Sequence, residues 1–183
     1  MYYHTADIHN TEAVVEEAIK RAEQLDLKHI VVASCTGKSA QLFLDHAKNF
    51  EIVCVTHQSG FYQPGEDEMD PGIRKKLLEG GIKVLTTTHL LAGIDRACRL
   101  KFGGVYPAEI VASTLRMFGQ GLKVSVEIAG MALDAGLIPY GAETVSLGGT
   151  GQGLDTAVVL VPAHSQNFFD TKIKEIICKP RNF

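Results

Sequence analysis

The fold that we predict for this chain follows from the segment His29–Val55, with the sequence HIVVASCTGKSAQLFLDHAKNFEIVCV. Its two ends, HIVVA and EIVCV, are short apolar runs rich in β-branched residues, which is typical of buried strands. Between them, apolar residues recur at the i, i+3, i+4, i+7 spacing of a helix, at Ala40, Phe43, Leu44 and Ala47. Two strands joined by a helix form a βαβ unit, so we expect the two strands to be parallel.

The same alternation of strand and helix continues on both sides of this unit. A helical pattern precedes it over residues 14–25, and Asp70-Pro71 and Gly80-Gly81 begin and end a further helix. Strand patterns follow at IKVLTTT, ETVSL and TAVVLV, with KEIIC as a candidate terminal strand, and helices are expected near residues 90–100, 107–118 and 122–135. We therefore predict one α/β domain over residues 1–183. It is a three-layer sandwich around a mostly parallel, five-stranded mixed sheet, whose last main strand is antiparallel to its neighbour.

Composition and cysteine spacing argue against several classes of protein. The 183 residues carry a formal net charge of −3, and the Lys and Arg residues are scattered, so we expect no nucleic-acid partner. No apolar segment approaches the roughly 20 residues that span a bilayer, and the N-terminus lacks a signal-peptide pattern, so we expect no membrane partner. The four cysteines lie far apart without a C-x-x-C pair, which predicts a reduced cytoplasmic location, no disulfide and no metal site. Apolar helix faces punctuated by glycines predict a homo-oligomer.

A candidate phosphate site follows the first strand of the βαβ unit. Gly37-Lys38-Ser39 match the end of the G-x-x-x-x-G-K-[ST] phosphate loop, but Val32 stands at the position of its first glycine. A strand, turn and helix start still suit a single phosphate, because unpaired N–H groups converge there. Ligands of parallel sheets bind beyond the carboxyl ends of the strands. With the aromatic segment and the glycine-rich loop that adjoin them, these strand ends supply the cofactor-binding candidates: Ser34, Cys35, Thr36, Gly37, Lys38, Ser39, Thr56, His57, Gln58, Gly60, Phe61, Thr88, His89, Gly149, Thr150 and Gly151.

Simpler structural interpretations of these residues stay open. The Gly37–Ser39 stretch is also explained as a helix start with a solvated lysine, and Gly148–Gly153 as a tight turn without a ligand. His57 and His89 are either proton donors and phosphate ligands or ordinary hydrogen-bonded polar residues. Cys35 is better explained as a structural thiol than as a nucleophile, because no flanking pattern supports an activated cysteine.

Charged residues also recur on one predicted helix. Lys123, Glu127 and Asp134 share a helical face at i, i+4 and i+11. Such spacing favours a solvated stripe with a small ion-pair contribution of about 0.2–0.5 kcal/mol. We therefore give these residues less weight than the strand ends.

Several segments together resemble the C-terminal α/β domain of pyruvate kinase: the SCTGKSA turn, GGVYPAE, and SLGGTGQGLDTAVVLVPA. The likeness covers roughly residues 11–163 and is closer still to stand-alone archaeal and bacterial proteins of that fold, in which FGQGLKVSVEIAGMALDAGLIP is a familiar type of segment. In pyruvate kinase this domain is regulatory. Its turn holds a phosphate of a sugar bisphosphate, and a glycine loop closes on the ligand. The resemblance maps residues 36–39 onto the phosphate turn and 149–153 onto the closing loop. The family's catalytic barrel has no counterpart in this sequence, so no phosphoryl transfer to ADP is implied.

The resemblance to the stand-alone proteins also implies a ligand, flavin mononucleotide (FMN). One phosphate, a hydroxyl-rich ribityl chain and a planar ring suit a Ser/Thr-rich turn, polar strand ends and an aromatic loop. The segment THQSGFYQPGEDEMDP, residues 56–71, supplies Phe61 and Tyr62 for the ring. This segment is explained equally well as a lid and as a mobile acidic surface loop.

Three classes of function are compatible with these observations. The first is a binding protein for a phosphorylated small molecule, FMN by resemblance. The second is a flavin-dependent enzyme of unknown substrate, and the third is a metabolite-sensing regulatory subunit. The pattern of strand ends favours the first.

Overall fold

The βαβ unit predicted from residues 29–55 is present in the computed structural model, which describes residues 1–183. Strands His29–Ala33 and Glu51–Val55 pair in parallel, with Ile30 beside Ile52 and Val32 beside Cys54. The central residues of both strands are buried on both faces. Continuous apolar runs of this kind are what a parallel sheet covered by helices requires.

One seven-stranded sheet runs through the chain. Its strands are β1 Tyr2–Thr5, β2 His29–Ala33, β3 Glu51–Val55, β4 Lys83–Leu85, β5 Thr144–Gly148, β6 Thr156–Val161 and β7 Lys172–Asn182. The helices are α1 Thr11–Gln24, α2 Lys38–Gln41, α3 Pro71–Glu79, α4 Gly93–Phe102, α5 Pro107–Arg116 and α6 Gln120–Asp134, with 3₁₀ turns at Ile8–Asn10, Leu44–His46 and Ser165–Asp170. The strand order is β1-β7-β6-β5-β2-β3-β4. β6 is antiparallel to β5, and the pairs β2–β3, β2–β5 and β3–β4 are parallel, which confirms the mostly parallel mixed sheet.

The sheet has seven strands instead of the expected five. The KEIIC candidate is part of the long strand β7, which pairs antiparallel with β6. β1 pairs in parallel with β7, with Tyr2 beside Lys179. Three of the four β1 residues are exposed, so this edge strand lacks the buried apolar run by which a strand is found in a sequence.

The helix expected after β2 is shorter than its apolar pattern indicates. One α-helical turn, α2, is followed by the 3₁₀ turn Leu44–His46. Ala40 and Phe43 are nevertheless fully buried, so the predicted apolar face does pack on the sheet. A 3₁₀ turn rises about 2.0 Å per residue against 1.5 Å in an α-helix. The short crossover can therefore return along the sheet to the start of β3 with few residues.

Helices cover both faces of the sheet, as a three-layer sandwich requires. On one face, α1, α2 and α3 contribute Val14, Ala40 and Leu77 to a cluster of 23 buried residues. On the other face, α6 packs Ile128 against the central strands, while Leu122 belongs to a separate cluster near β6. Among these helices, none has the length and apolar character that a bilayer span demands.

Candidate functional site

The strand order reverses between β2 and β5. From β2 the chain moves outward through β3 to β4, and it then returns to place β5 on the other side of β2. Val32 of β2 lies beside Leu147 of β5, so the turn that begins at Ser34 and the loop that begins at Gly149 leave the same edge of the sheet side by side. A crevice at such a reversal is the usual ligand site of an open α/β sheet.

The turn after β2 leaves two backbone donors free. Gly37 N–H donates to the Ser34 carbonyl at 3.4 Å, and Ala40 N–H donates to Ser34 Oγ at 3.3 Å. The N–H groups of Lys38 and Ser39 have no acceptor within the chain. Thr36 and the Lys38 side chain are exposed beside them. The turn therefore gathers backbone donors, hydroxyls and an ammonium group at one point.

Gly37 fixes the position of this turn. Its φ of +81° lies in the left-handed region, and a Cβ atom there would be 2.5 Å from Ile73 Cγ2 of α3. Only glycine combines this backbone conformation with such a close approach. The turn is thus packed directly onto α3.

The glycine-rich loop is held by a buried carboxylate that the sequence analysis did not single out. Thr150 N–H donates to Asp155 Oδ2 at 2.8 Å, and Asp155 N–H donates to the Gly148 carbonyl at 3.1 Å. Asp155 is only 2% exposed, and its other oxygen accepts a hydrogen bond from Thr156 Oγ1 at 2.6 Å. Thr150 and Gly151 are exposed at the tip of the loop. The loop therefore has a defined shape next to the β2 turn.

A second group of candidates gathers at the ends of β3 and β4. His57 stacks on Phe61 with ring centroids 4.0 Å apart, and the His89 ring lies 5.3 Å from His57 and 5.4 Å from Phe61. His57 Nδ1 lies 2.6 Å from Glu68 Oε1. The Arg96 guanidinium stands 5.5 Å from the centroid of the Phe61 ring. The structure thus brings His57, Phe61 and His89 together and adds Glu68 and Arg96.

The remaining candidates have simpler surroundings. Thr56 is buried, and its hydroxyl lies 2.7 Å from the Thr86 hydroxyl. Gly60 N–H donates to the Glu66 carbonyl at 2.8 Å and so closes the loop on itself. Gln58 is half-buried next to His57, and the exposed Thr88 lines a cavity of about 210 Å³. These residues shape the strand ends, and none of them forms a hydrogen bond with the β2 turn.

Burial keeps two candidates of this edge neutral at pH 7. It lowers the pKa of His89 to about 4, an effect that Glu127 opposes and that His57, Lys123 and Arg96 assist. Burial likewise raises the pKa of Cys35 to about 11, so this residue is a thiol near neutrality. A protonated thiol agrees with the expectation that Cys35 is not an activated nucleophile.

The expectation of a solvated stripe on α6 is wrong for two of its three residues. Lys123 is 7% exposed and Glu127 is 4% exposed, and the two side chains form an ion pair. Glu127 Oε1 also accepts a hydrogen bond of 2.7 Å from the Leu91 N–H. Asp134, three turns from Lys123, is exposed and contacts His164. α6 is buried on nearly every side between the sheet and α5, so its charged side chains are enclosed. The sequence did contain a signal of this burial, because apolar residues occur around the whole circumference of the helix.

A wide cavity lies away from the β2 turn. It has a volume of about 760 Å³, runs between α4 and α5, and is lined by Arg96, Arg99 and Arg116 together with apolar residues such as Val105 and Met117. Much of this groove is formed by exposed side chains. Arg96 is the link between the groove and the cluster at the ends of β3 and β4, because it also contacts Phe61.

One protein family matches most of this chain. The sequence model of the family described as pyruvate kinase, alpha/beta domain, matches residues 12–160. Similar solved structures include crystal structures of pyruvate kinase from Cryptosporidium parvum. One is 17% identical with a TM-score of 0.42, and the match covers 81% of this chain and 22% of that chain. Another is 14% identical with a TM-score of 0.39, covering 89% and 21%.

A third structure of the Cryptosporidium parvum enzyme, in complex with ADP, is 16% identical with a TM-score of 0.42, covering 89% of this chain and 23% of that chain. The chain therefore spans less than a quarter of the length of these kinases. The family match extends over most of the chain, from the second residue of α1 to β6. On this evidence the chain belongs to the pyruvate kinase alpha/beta domain family.

Proposed function

We propose that this protein binds a phosphorylated small molecule, FMN, in the crevice between the carboxyl ends of β2 and β5. The observation that carries the proposal is the reversal of strand order at this point, where the Ser34–Ser39 turn and the glycine-rich loop lie side by side. Crevices at such reversals are where open α/β sheets bind nucleotides and related cofactors. The choice of FMN among phosphorylated ligands rests on the resemblance to the stand-alone proteins of this fold.

The phosphate end of the ligand fits the turn. The free N–H groups of Lys38 and Ser39 supply two donors, and the hydroxyl of Thr36 adds polar contacts at the exposed rim. The ammonium group of Lys38 is a compact positive charge that suits a phosphate dianion. These groups would hold the phosphate, and the tip of the glycine-rich loop at Thr150 and Gly151 would lie over it.

Few aromatic side chains at this edge of the sheet are free to stack on the flavin ring. Phe61 is already stacked on His57, and Arg96 stands near its ring, so it offers little free face to a ligand. Tyr62 is 69% exposed and meets Phe61 edge to face, which makes it the available aromatic surface. Bound FMN would supply redox chemistry through its ring, and the residues at this edge would orient it and exclude water from one side.

A comparison of FMN with riboflavin tests this proposal. Lys38→Ala should weaken FMN binding about tenfold or more, because charge-assisted hydrogen bonds contribute roughly 1.5–3 kcal/mol. Riboflavin has no phosphate, so its weaker affinity should not change in Lys38→Ala. Affinities are measured by quenching of flavin fluorescence, with Lys48→Ala, an exposed lysine before β3, as the control. If Lys38→Ala weakened FMN and riboflavin binding equally, or if Lys38→Ala and Lys48→Ala weakened FMN binding equally, the β2 turn would not be the phosphate site.

The alternative functions use the same crevice. A flavin-dependent enzyme would show reduction of its bound flavin by a nicotinamide cofactor. A regulatory subunit would bind a partner protein only in the presence of a phosphorylated metabolite. No feature of the site favours either over simple binding.

We also propose that the protein forms a homo-oligomer in the cytoplasm. Seven large apolar side chains are strongly exposed on α4, α5 and the segments next to them, and they include Ile94, Leu100 and Met117. A concentration of exposed apolar side chains on neighbouring segments is typical of a protein–protein interface, and a second copy would cover them. All four cysteines are free, which suits a reducing compartment.

A further inference from the structure

Three potential metal ligands from separate segments meet near the β2 turn. They are the thiol of Cys35, the imidazole of His57 and the carboxylate of Glu68, and their ligand atoms all lie within 4.8 Å of one another. Cys35 follows β2, His57 follows β3, and Glu68 lies just before α3. All three residues are half-buried. We propose that these residues form a binding site for a divalent transition metal of the zinc class.

The donor set matches the chemistry of zinc. Thiolate sulfur, imidazole nitrogen and carboxylate oxygen are its common protein ligands, at metal–ligand distances of about 2.0–2.3 Å. Ligands of a tetrahedral ion at such distances lie about 3.4–3.6 Å from one another. His57 Nδ1 and Glu68 Oε1 lie 2.6 Å apart, so these two atoms would separate by roughly 1 Å to admit the ion. Cys35 Sγ, which lies within 4.8 Å of both, would approach them by up to about 1 Å. The ion would replace the proton on Cys35 Sγ, which would be released to solvent, and it would take the place of the hydrogen bond between Nδ1 and Oε1, with the neutral imidazole carrying its proton on Nε2.

Mixed ligands also argue against calcium or magnesium. Those ions prefer oxygen donors, and only one of the three residues offers oxygen. Three protein ligands leave the fourth position of a tetrahedral zinc ion open to water or to a small ligand.

The metal would close the base of the loop that carries Phe61 and Tyr62. His57 and Glu68 bracket residues 58–67, so an ion bound to both fixes the two ends of this loop. Cys35 would tie the same ion to the turn after β2. Metal binding would thus hold the loop against the sheet edge. This inference does not depend on the phosphorylated ligand proposed above, and its test is done without one.

Cobalt(II) is a direct spectroscopic probe of the site. Wild-type protein treated with a chelator and freed of it should give an absorption difference spectrum with Co²⁺ that contains thiolate-to-cobalt charge-transfer and tetrahedral d–d bands. Cys35→Ser should abolish the charge-transfer band. Cys98→Ser, the other half-buried cysteine, serves as the matched control and should keep it. If wild type lacked the band at excess Co²⁺, or if Cys35→Ser and Cys98→Ser lost it equally, the proposed metal site would be wrong.

A competition titration of Zn²⁺ against a chromophoric chelator gives a second measurement that does not require removal of the cysteine. Glu68→Gln keeps the shape of the side chain and removes its charge, so it should weaken Zn²⁺ binding about 10-fold or more. Glu66→Gln, in the same loop and exposed, is the control and should leave the affinity unchanged. Equal affinities of wild type and Glu68→Gln would exclude Glu68 as a ligand and contradict the proposed closure of the loop.

Discussion

Gly37→Ala perturbs the β2 turn where both the backbone and the packing disfavour a side chain. The left-handed φ of +81° at Gly37 costs a non-glycine residue about 1–2 kcal/mol. The added methyl group would also lie 2.5 Å from Ile73 Cγ2 and 3.4 Å from Leu77 Cδ1, so α3 would have to move or repack at a cost of about 1–3 kcal/mol. We therefore expect the free energy of unfolding to fall by about 2–5 kcal/mol. Urea denaturation followed by circular dichroism measures this change.

Gly136→Ala isolates the backbone part of this effect. Gly136 also has a left-handed φ, of +68°, but no atom lies within 4 Å of the position of its Cβ. This variant should lose only about 1–2 kcal/mol. If Gly37→Ala proves no more costly than Gly136→Ala, the turn is not packed on α3 as described, and the account of why residue 37 is glycine is wrong.

Two further predictions concern α6 and the α4–α5 face. Lys123→Met leaves the buried Glu127 carboxylate unpaired and should lower the free energy of unfolding, measured by urea denaturation, by about 3–5 kcal/mol. Lys123→Met combined with Glu127→Gln should recover much of this loss. A loss below about 1 kcal/mol for Lys123→Met alone would contradict the buried ion pair. Leu100→Glu places a charge on the exposed apolar face and should reduce the molar mass from light scattering to that of a monomer. Phe169→Glu, at an apolar position elsewhere that is also largely exposed, should leave the mass unchanged, and an oligomer that survives Leu100→Glu would argue against this face.

Local sequence patterns were sufficient for most of the fold. The runs HIVVA and EIVCV are strands because parallel strands covered on both faces need continuous apolar residues. Asp70-Pro71 begins α3 as expected, since the Asp70 carboxylate accepts hydrogen bonds from the N–H groups of Gly72 and Ile73. Strand β1 could not be predicted in this way, because its pairing with β7 brings together residues from opposite ends of the chain.

The candidate site was predictable only in its outline. The rule that ligands bind at strand ends selected the β2 turn, His57 and His89, since this rule needs only the order of the strands. Tertiary packing brings Glu68 and Arg96 to His57 and Phe61, and no sequence spacing predicts these contacts. The charges of α6 were misjudged because i, i+4 spacing describes the face of a helix and carries no information on what covers that face.

A crystal structure of the protein with FMN would locate the phosphate. We expect it at the β2 turn, with its oxygens within about 3.2 Å of the Lys38 and Ser39 N–H nitrogens and the glycine-rich loop beside it. The large groove between α4 and α5 offers a competing location for an anion, because Arg96, Arg99 and Arg116 line it. A phosphate bound among these three arginines, with the β2 turn left free, would show that the β2 turn is not the phosphate site.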